Sequence, residues 1–258
     1  MTRIGARFEQ LRREGRKAFV AFLTAGDPSP DRTVAAALEL QSAGVDVLEL
    51  GVPFSDPLAD GPVIQRASER ALGRGVTLAG VLDMVRRIRE RSPLPLLLFS
   101  YLNPLLRLGL PRLAREAREA GLDGVLVTDL PPEEACEWLG IARGEGLDTV
   151  FLASPTSPGE RLRRVAEASR GFVYAVSRTG VTGERDALSA DAGPLVERLR
   201  ALTREPVVLG FGISTPEQVA AASAAADGVV VGSALVRFLE EHPDGDLRGR
   251  VGWLKGGS

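Results

Sequence analysis

The chain has 258 residues, 44% of them hydrophobic and 26% charged, with a formal net charge of -2. That is enough apolar matter to bury a sizeable core, in one large domain or two small ones. A charge this near neutrality gives no global field favouring nucleic acid or an anionic membrane surface.

The N-terminus contains acid and lacks an apolar core, so it reads as no signal peptide. Residues 3–14 carry apolar side chains at helical spacing and predict a helix ahead of the first strand. Eight short apolar runs follow, at 18–23, 45–50, 95–101, 124–128, 149–153, 172–177, 207–210 and 228–231. Most are rich in Val, Leu and Phe without clean alternation, as expected of strands covered on both faces. Helix-length stretches lie between them, among them 32–43, 78–91, 112–120, 133–145 and 217–225. Ala-Gly44-Val-Asp46, Ala-Gly121-Leu-Asp123 and Glu-Gly146-Leu-Asp148 each place a glycine where a helix stops and an acid just before the next strand. Ala-Ala-Asp227-Gly is a shorter version. This repeated signal and the eightfold strand–helix alternation predict an α/β fold of (β/α)8 TIM-barrel type, with the extra N-terminal helix closing one end. An open doubly wound sheet would want a glycine-rich fingerprint after the first strand, where the chain instead reads Leu-Thr-Ala-Gly26-Asp-Pro. No linker is visible, so residues 1–258 are expected to form a single domain. No run is long enough to span a membrane.

Chemistry in such a barrel sits at the C-terminal strand ends. After the second run comes Glu49-Leu-Gly-Val-Pro-Phe-Ser-Asp56-Pro-Leu-Ala-Asp60-Gly-Pro, with Glu49 in the last turn of the strand and two acids on the loop. A buried strand acid is costly unless used or paired, which marks Glu49. Pattern alone does not choose between Asp56 and Asp60. A rigid acid and a loop acid on one substrate suit general acid/base work with divided roles. The third run ends in Tyr101-Leu-Asn103-Pro, and the fourth in Thr128-Asp129, where the acid could cap the following helix. The stretch 177–192, with hydroxyl residues and two glycines, reads as a mobile lid or, nearly as well by sequence, as an ordered surface loop. Gly210-Phe-Gly212-Ile213 and Gly232-Ser233 each precede a helix and leave backbone amides open, which favours a phosphate group.

The absences matter as much. One histidine (His242), one cysteine (Cys136) and two lysines (Lys17, Lys255) offer no transition-metal site and no lysine for a Schiff base at a strand end. His242 reads as a surface loop residue and Cys136 as a buried helix residue. A single cysteine cannot form an internal disulfide, in keeping with a cytoplasmic location.

With these residues in hand, the chain resembles the tryptophan synthase α subunit from about Phe8 to Leu239. The resemblance is most specific in the Glu49–Asp60 segment, at Tyr174-x-x-Ser-Arg178-x-Gly-Val-Thr182-Gly183, and at Gly210-Phe-Gly-Ile-Ser214. It implies retro-aldol cleavage of indole-3-glycerol phosphate to indole and glyceraldehyde 3-phosphate, with indole passed to a β subunit in an α2β2 assembly. Pyridoxal phosphate would belong to that partner, leaving no cofactor or metal on this chain. The resemblance assigns Glu49 as acid/base, Asp60 as the acid at the indole N–H, and Tyr174 as a neighbour of the reacting centre. It gives Gly183, Gly212, Ile213, Gly232 and Ser233 to the phosphate, and Phe22, Ile64, Phe99, Leu126 and Phe211 to the indole pocket. Arg178 and Thr182 fall on the lid. Phe99 and Thr128 depart from the smaller residues common at their positions, which bears on indole packing. A stand-alone indole-releasing lyase would share every one of these residues. A phosphosugar isomerase, or a non-catalytic activator of β, would not need both acids.

Overall fold

A computed structural model describes residues 2–176 and 191–257. The strands are β1 (Ala18–Thr24), β2 (Val47–Gly51), β3 (Leu96–Ser100), β4 (Gly124–Val127), β5 (Asp148–Val150), β6 (Leu152–Ala153), β7 (Val173–Val176), β8 (Val207–Gly210) and β9 (Gly228–Val231). All pairings are parallel, in the order β5-β4-β3-β2-β1-β9-β8-β7-β6. The two ends of that order, β5 and β6, are successive pieces of one run separated only by Phe151. Its first piece pairs with β4 and its second with β7, so the ring closes as an eight-run TIM barrel with helices outside.

β1, β2 and β3 are buried at every residue, on both faces, which is why the sequence shows no alternation there. One alternate set, including Leu48, Leu50, Leu96, Leu98, Val173 and Val229, packs outward under the helices. The other set, including Val20, Phe22, Val47, Leu97, Phe99, Leu126 and Phe172, fills the barrel interior. The predicted N-terminal helix forms as Arg3–Arg13, and Ile4, Phe8 and Leu11 join that interior cluster. Phe8 meets Phe172 with ring centroids 5.7 Å apart, so this helix plugs the N-terminal end.

The acids after the helix-stop glycines turn out to build that end. Asp46 accepts a hydrogen bond from the Phe19 N–H at 2.8 Å, Asp123 from Leu96 at 2.9 Å and Asp227 from Val207 at 3.0 Å. Each acid thus precedes one strand and ties down the start of its neighbour. Arg7 pairs with Asp46 at 2.6 Å and Arg3 with Asp123 at 2.9 Å, while the Thr2 hydroxyl donates to Asp148. Asp46 and Asp123 both fasten the plug and set strand starts.

Two local expectations are corrected. Cys136 is exposed, because its helix begins only there (Cys136–Gly144) and turns Trp138 and Ala142 inward instead. Asp129 caps the helix that follows β3 rather than the one after β4: its carboxylate accepts from the Leu102 N–H at 2.7 Å, at the start of Leu102–Leu108. His242 is exposed at the end of helix Ser233–Glu241, as expected.

Candidate active site

Glu49 is placed by β2. Strand alternation puts Leu48 and Leu50 outside and Val47 and Glu49 inside, opposite Phe22 on β1 and Leu97 on β3. Its carboxyl is fully buried, and neither oxygen has a hydrogen-bond partner among the described residues. Burial without a partner pushes its pKa up to about 8, so the acid is neutral at pH 7.

Asp60 comes from the loop after β2, one residue before Gly61 begins helix Pro62–Gly73. It is buried, and Tyr101 Oη donates to Oδ2 at 3.0 Å. Burial raises its pKa to about 6 and the Tyr101 hydrogen bond opposes that rise, so it is ionised at pH 7. Asp56 faces solvent beside Ser55, so the geometry chooses Asp60 between the two loop acids. The loop is better tied than its prolines suggest. Gln65 Nε2 donates to the Asp60 carbonyl at 2.9 Å, and the Ala59 N–H donates to Tyr101 Oη at 3.0 Å.

One cavity at the strand ends is lined by both acids together with Phe22, Ile64, Phe99, Tyr174, Phe211, Gly212, Val230, Gly232 and Ser233. Phe22 and Phe99 meet edge to face at 5.2 Å between centroids, and Tyr174 and Phe211 do the same at 5.6 Å. These rings make flat apolar walls suited to an aromatic bicycle. Burial, then the nearby Glu49 and Asp60, pushes the Tyr174 phenol well above its ordinary pKa, so it stays a neutral donor. Leu126 belongs to the same interior cluster without bordering this cavity. Val230 borders it and was not foreseen, although it shares an interior face with Gly232 two residues on.

The phosphate candidates Gly212, Gly232 and Ser233 border the same cavity, with Gly232 packed close to Phe22. Phe211 and Gly212 both have positive φ, 77° and 81°, in the turn before helix Pro216–Ala225. The Ile213 side chain packs into the outer core, leaving only its backbone for a ligand. Gly232 and Ser233 open helix Ser233–Glu241, whose N-terminus has no side-chain cap. Gly210 has another task. A Cβ there would lie 2.2 Å from the Tyr174 hydroxyl, so this glycine makes room for the phenol. Arg178, Thr182, Gly183 and the expected lid up to residue 190 lie outside the described residues.

Two buried acids, aromatic rings and the glycines of two strand ends thus border one cavity. The sequence pattern of the tryptophan synthase alpha chain matches residues 8–250. The chain belongs to the tryptophan synthase alpha chain family. A tryptophan synthase alpha chain of Solibacter usitatus is 57% identical over 244 residues, covering 95% of this chain and 91% of the relative. That of Geobacter sulfurreducens is 53% identical over 247 residues, covering 96% and 94%. The solved tryptophan synthase of Mycobacterium tuberculosis superimposes with a TM-score of 0.92 at 42% identity, over 99% of this chain and 97% of that one. A tryptophan synthase complex from Pyrococcus furiosus gives 0.84 at 38% identity, over 93% and 98%. The α chain cleaves indole-3-glycerol phosphate to indole and glyceraldehyde 3-phosphate, the lyase half-reaction of tryptophan synthesis, and works with a β subunit. The family's pyridoxal phosphate is held by the β chain and the α chain carries none. No helix among the described residues is long and apolar enough to cross a membrane.

Proposed function

We propose that Glu49 and Asp60 divide the cleavage between them, in a chain that works as one domain over residues 1–258. Neutral Glu49 gives its proton to C3 of the indole ring. The ring becomes an iminium, and its nitrogen carries positive charge facing ionised Asp60. The Glu49 carboxylate then takes the proton from the hydroxyl on the adjoining glycerol carbon. The carbon–carbon bond breaks, its electron pair returns to the ring, and indole and the aldehyde leave with Glu49 neutral again. The ring is its own electron sink, so the step calls for neither an imine nor a Lewis acid. Phe22, Ile64, Phe99 and Phe211 hold the bicycle, with Leu126 behind them. Tyr174 holds a hydroxyl near the reacting carbon. The amides of Gly212, Ile213, Gly232 and Ser233 receive the phosphate, with Gly183, Arg178 and Thr182 closing from the lid.

The observation that carries this reading is Glu49, a carboxyl buried without a partner in a cavity that also holds an ionised acid. Such a group is expensive in a core and useful in a proton transfer. Glu49→Gln keeps the volume and loses the proton, and should lower the rate of indole release by at least about a hundredfold with the fold intact. Asp60→Asn should cripple turnover in the same assay. Retention of most of the wild-type rate by either variant would overturn the corresponding role. The setting we propose is the cytoplasm, in an α2β2 assembly. The Asp56 loop and Pro131-Pro132, both on the strand-end face, are the surfaces offered to β.

A further inference from the structure

We propose that Tyr101 is the positioning residue of Asp60: its hydroxyl fixes the carboxylate where the indole nitrogen will lie and stabilises negative charge on it by donating a hydrogen bond. This rests on the role given to Asp60 above and adds to it the group that prepares that acid.

The geometry is that of a clamp. Tyr101 follows β3 directly and opens helix Leu102–Leu108, whose first amide is held by Asp129, so its backbone is fixed from two sides. The side chain is buried. Its hydroxyl meets the Asp60 loop twice, donating to Asp60 Oδ2 at 3.0 Å and accepting from the Ala59 N–H at 3.0 Å. At the other end of that loop Phe54 lies against the same ring, with centroids 5.0 Å apart. One aromatic side chain thus spans the loop from Phe54 to Asp60. Burial, then the charge of Asp60, pushes the phenol far above its ordinary pKa, so it remains a donor throughout the working range.

Among the described residues, the charged and titratable groups around Asp60 leave Tyr101 as the one that favours its ionised form. Glu49 from β2 and Tyr174 from β7 share the cavity with it, and Asp129 beyond β4 bears on Tyr101 itself. Glu49 is neutral at pH 7, Tyr174 stays a phenol, and among the described residues no cation lines either cavity that Asp60 borders. Burial disfavours the charged carboxylate, and the hydrogen bond from Tyr101 opposes that cost. If the hydroxyl is removed, Asp60 must hold its proton to higher pH, and the acid side of the rate profile must follow.

The test is the pH dependence of kcat/KM for indole release from indole-3-glycerol phosphate with β present, for wild type, Tyr101→Phe, Phe54→Leu and Asp60→Asn. Tyr101→Phe keeps the ring and its contact with Phe54. Its acid limb should move up by about one pH unit, equivalent to one charge-assisted hydrogen bond. The rate on the alkaline side of that limb should change much less. Phe54→Leu loosens the same loop without touching the carboxylate, and should lower the rate evenly across pH. An unmoved acid limb in Tyr101→Phe, or an equal movement in Phe54→Leu, would overturn the proposal. If Asp60→Asn retained activity, the role of Asp60 itself would fall, a result separable from any behaviour of Tyr101→Phe.

Discussion

Glu49 stands at an interior strand position between Phe22 and Leu97, and its carboxyl has no hydrogen-bond partner among the described residues. Its place was legible in the sequence, because an acid at the end of an apolar strand violates the local pattern and so advertises a use. Asp60 was legible only as one of two loop acids. What separates it from Asp56 is burial against Tyr101, a contact between residues 41 apart in the chain that no local spacing reveals. Gly210 was read as part of a phosphate turn, and its tie to the Tyr174 hydroxyl is likewise invisible until β7 and β8 are laid side by side. Gly210→Ala should therefore force the phenol aside. We expect a loss of about 1–3 kcal/mol in stability by thermal or denaturant melting, together with a lower kcat. A variant as stable and active as wild type would show that the phenol has room to spare.

At the scale of elements, the strand–helix repeat was read correctly because apolar runs and helix-stop glycines are local signals. Gly44, Gly121 and Gly146 have positive φ, as their place after a helix requires. The acids that follow them were read only as the residues just before the next strand, and their tertiary work lies across strands. Asp123 alone accepts from the Leu96 amide, from Arg89 at 3.0 Å and from Arg3, at a buried site far in function from the cleavage. Asp123→Ala strands these partners and should cost about 2–4 kcal/mol of stability, seen as a lower melting temperature, with kcat/KM unchanged at a temperature where the variant is folded. Loss of activity without loss of stability would place Asp123 in the chemistry instead. The split of one strand run into β5 and β6 around Phe151 was not legible, because it reflects a change of neighbour and not a change of composition.

For the whole molecule, the barrel places its chemistry on one face and its fastening on the other, and the Asp60 loop reaches solvent on the catalytic face. Leu58, in that loop, is 84% exposed, an apolar side chain suited to burial against a partner. Because the family works with β, binding at this face should favour the arrangement in which the Asp60 loop is set for reaction. Titrating β into the chain should raise the rate of indole release, glycerol phosphate should tighten β binding by reciprocity, and Leu58→Ser should weaken it. Full activity alone, unchanged by β, would favour the stand-alone lyase. The central claim is narrower: Glu49 enters the reaction protonated and Asp60 ionised. The pH profile of kcat/KM for the wild-type enzyme tests it most directly, since it reports the ionisations of the free enzyme. Activity needs Asp60 above its pKa of about 6 and Glu49 below its pKa of about 8, so the profile should be a bell with limbs near those values. A rate that stays level from pH 5 to pH 9 would contradict the account.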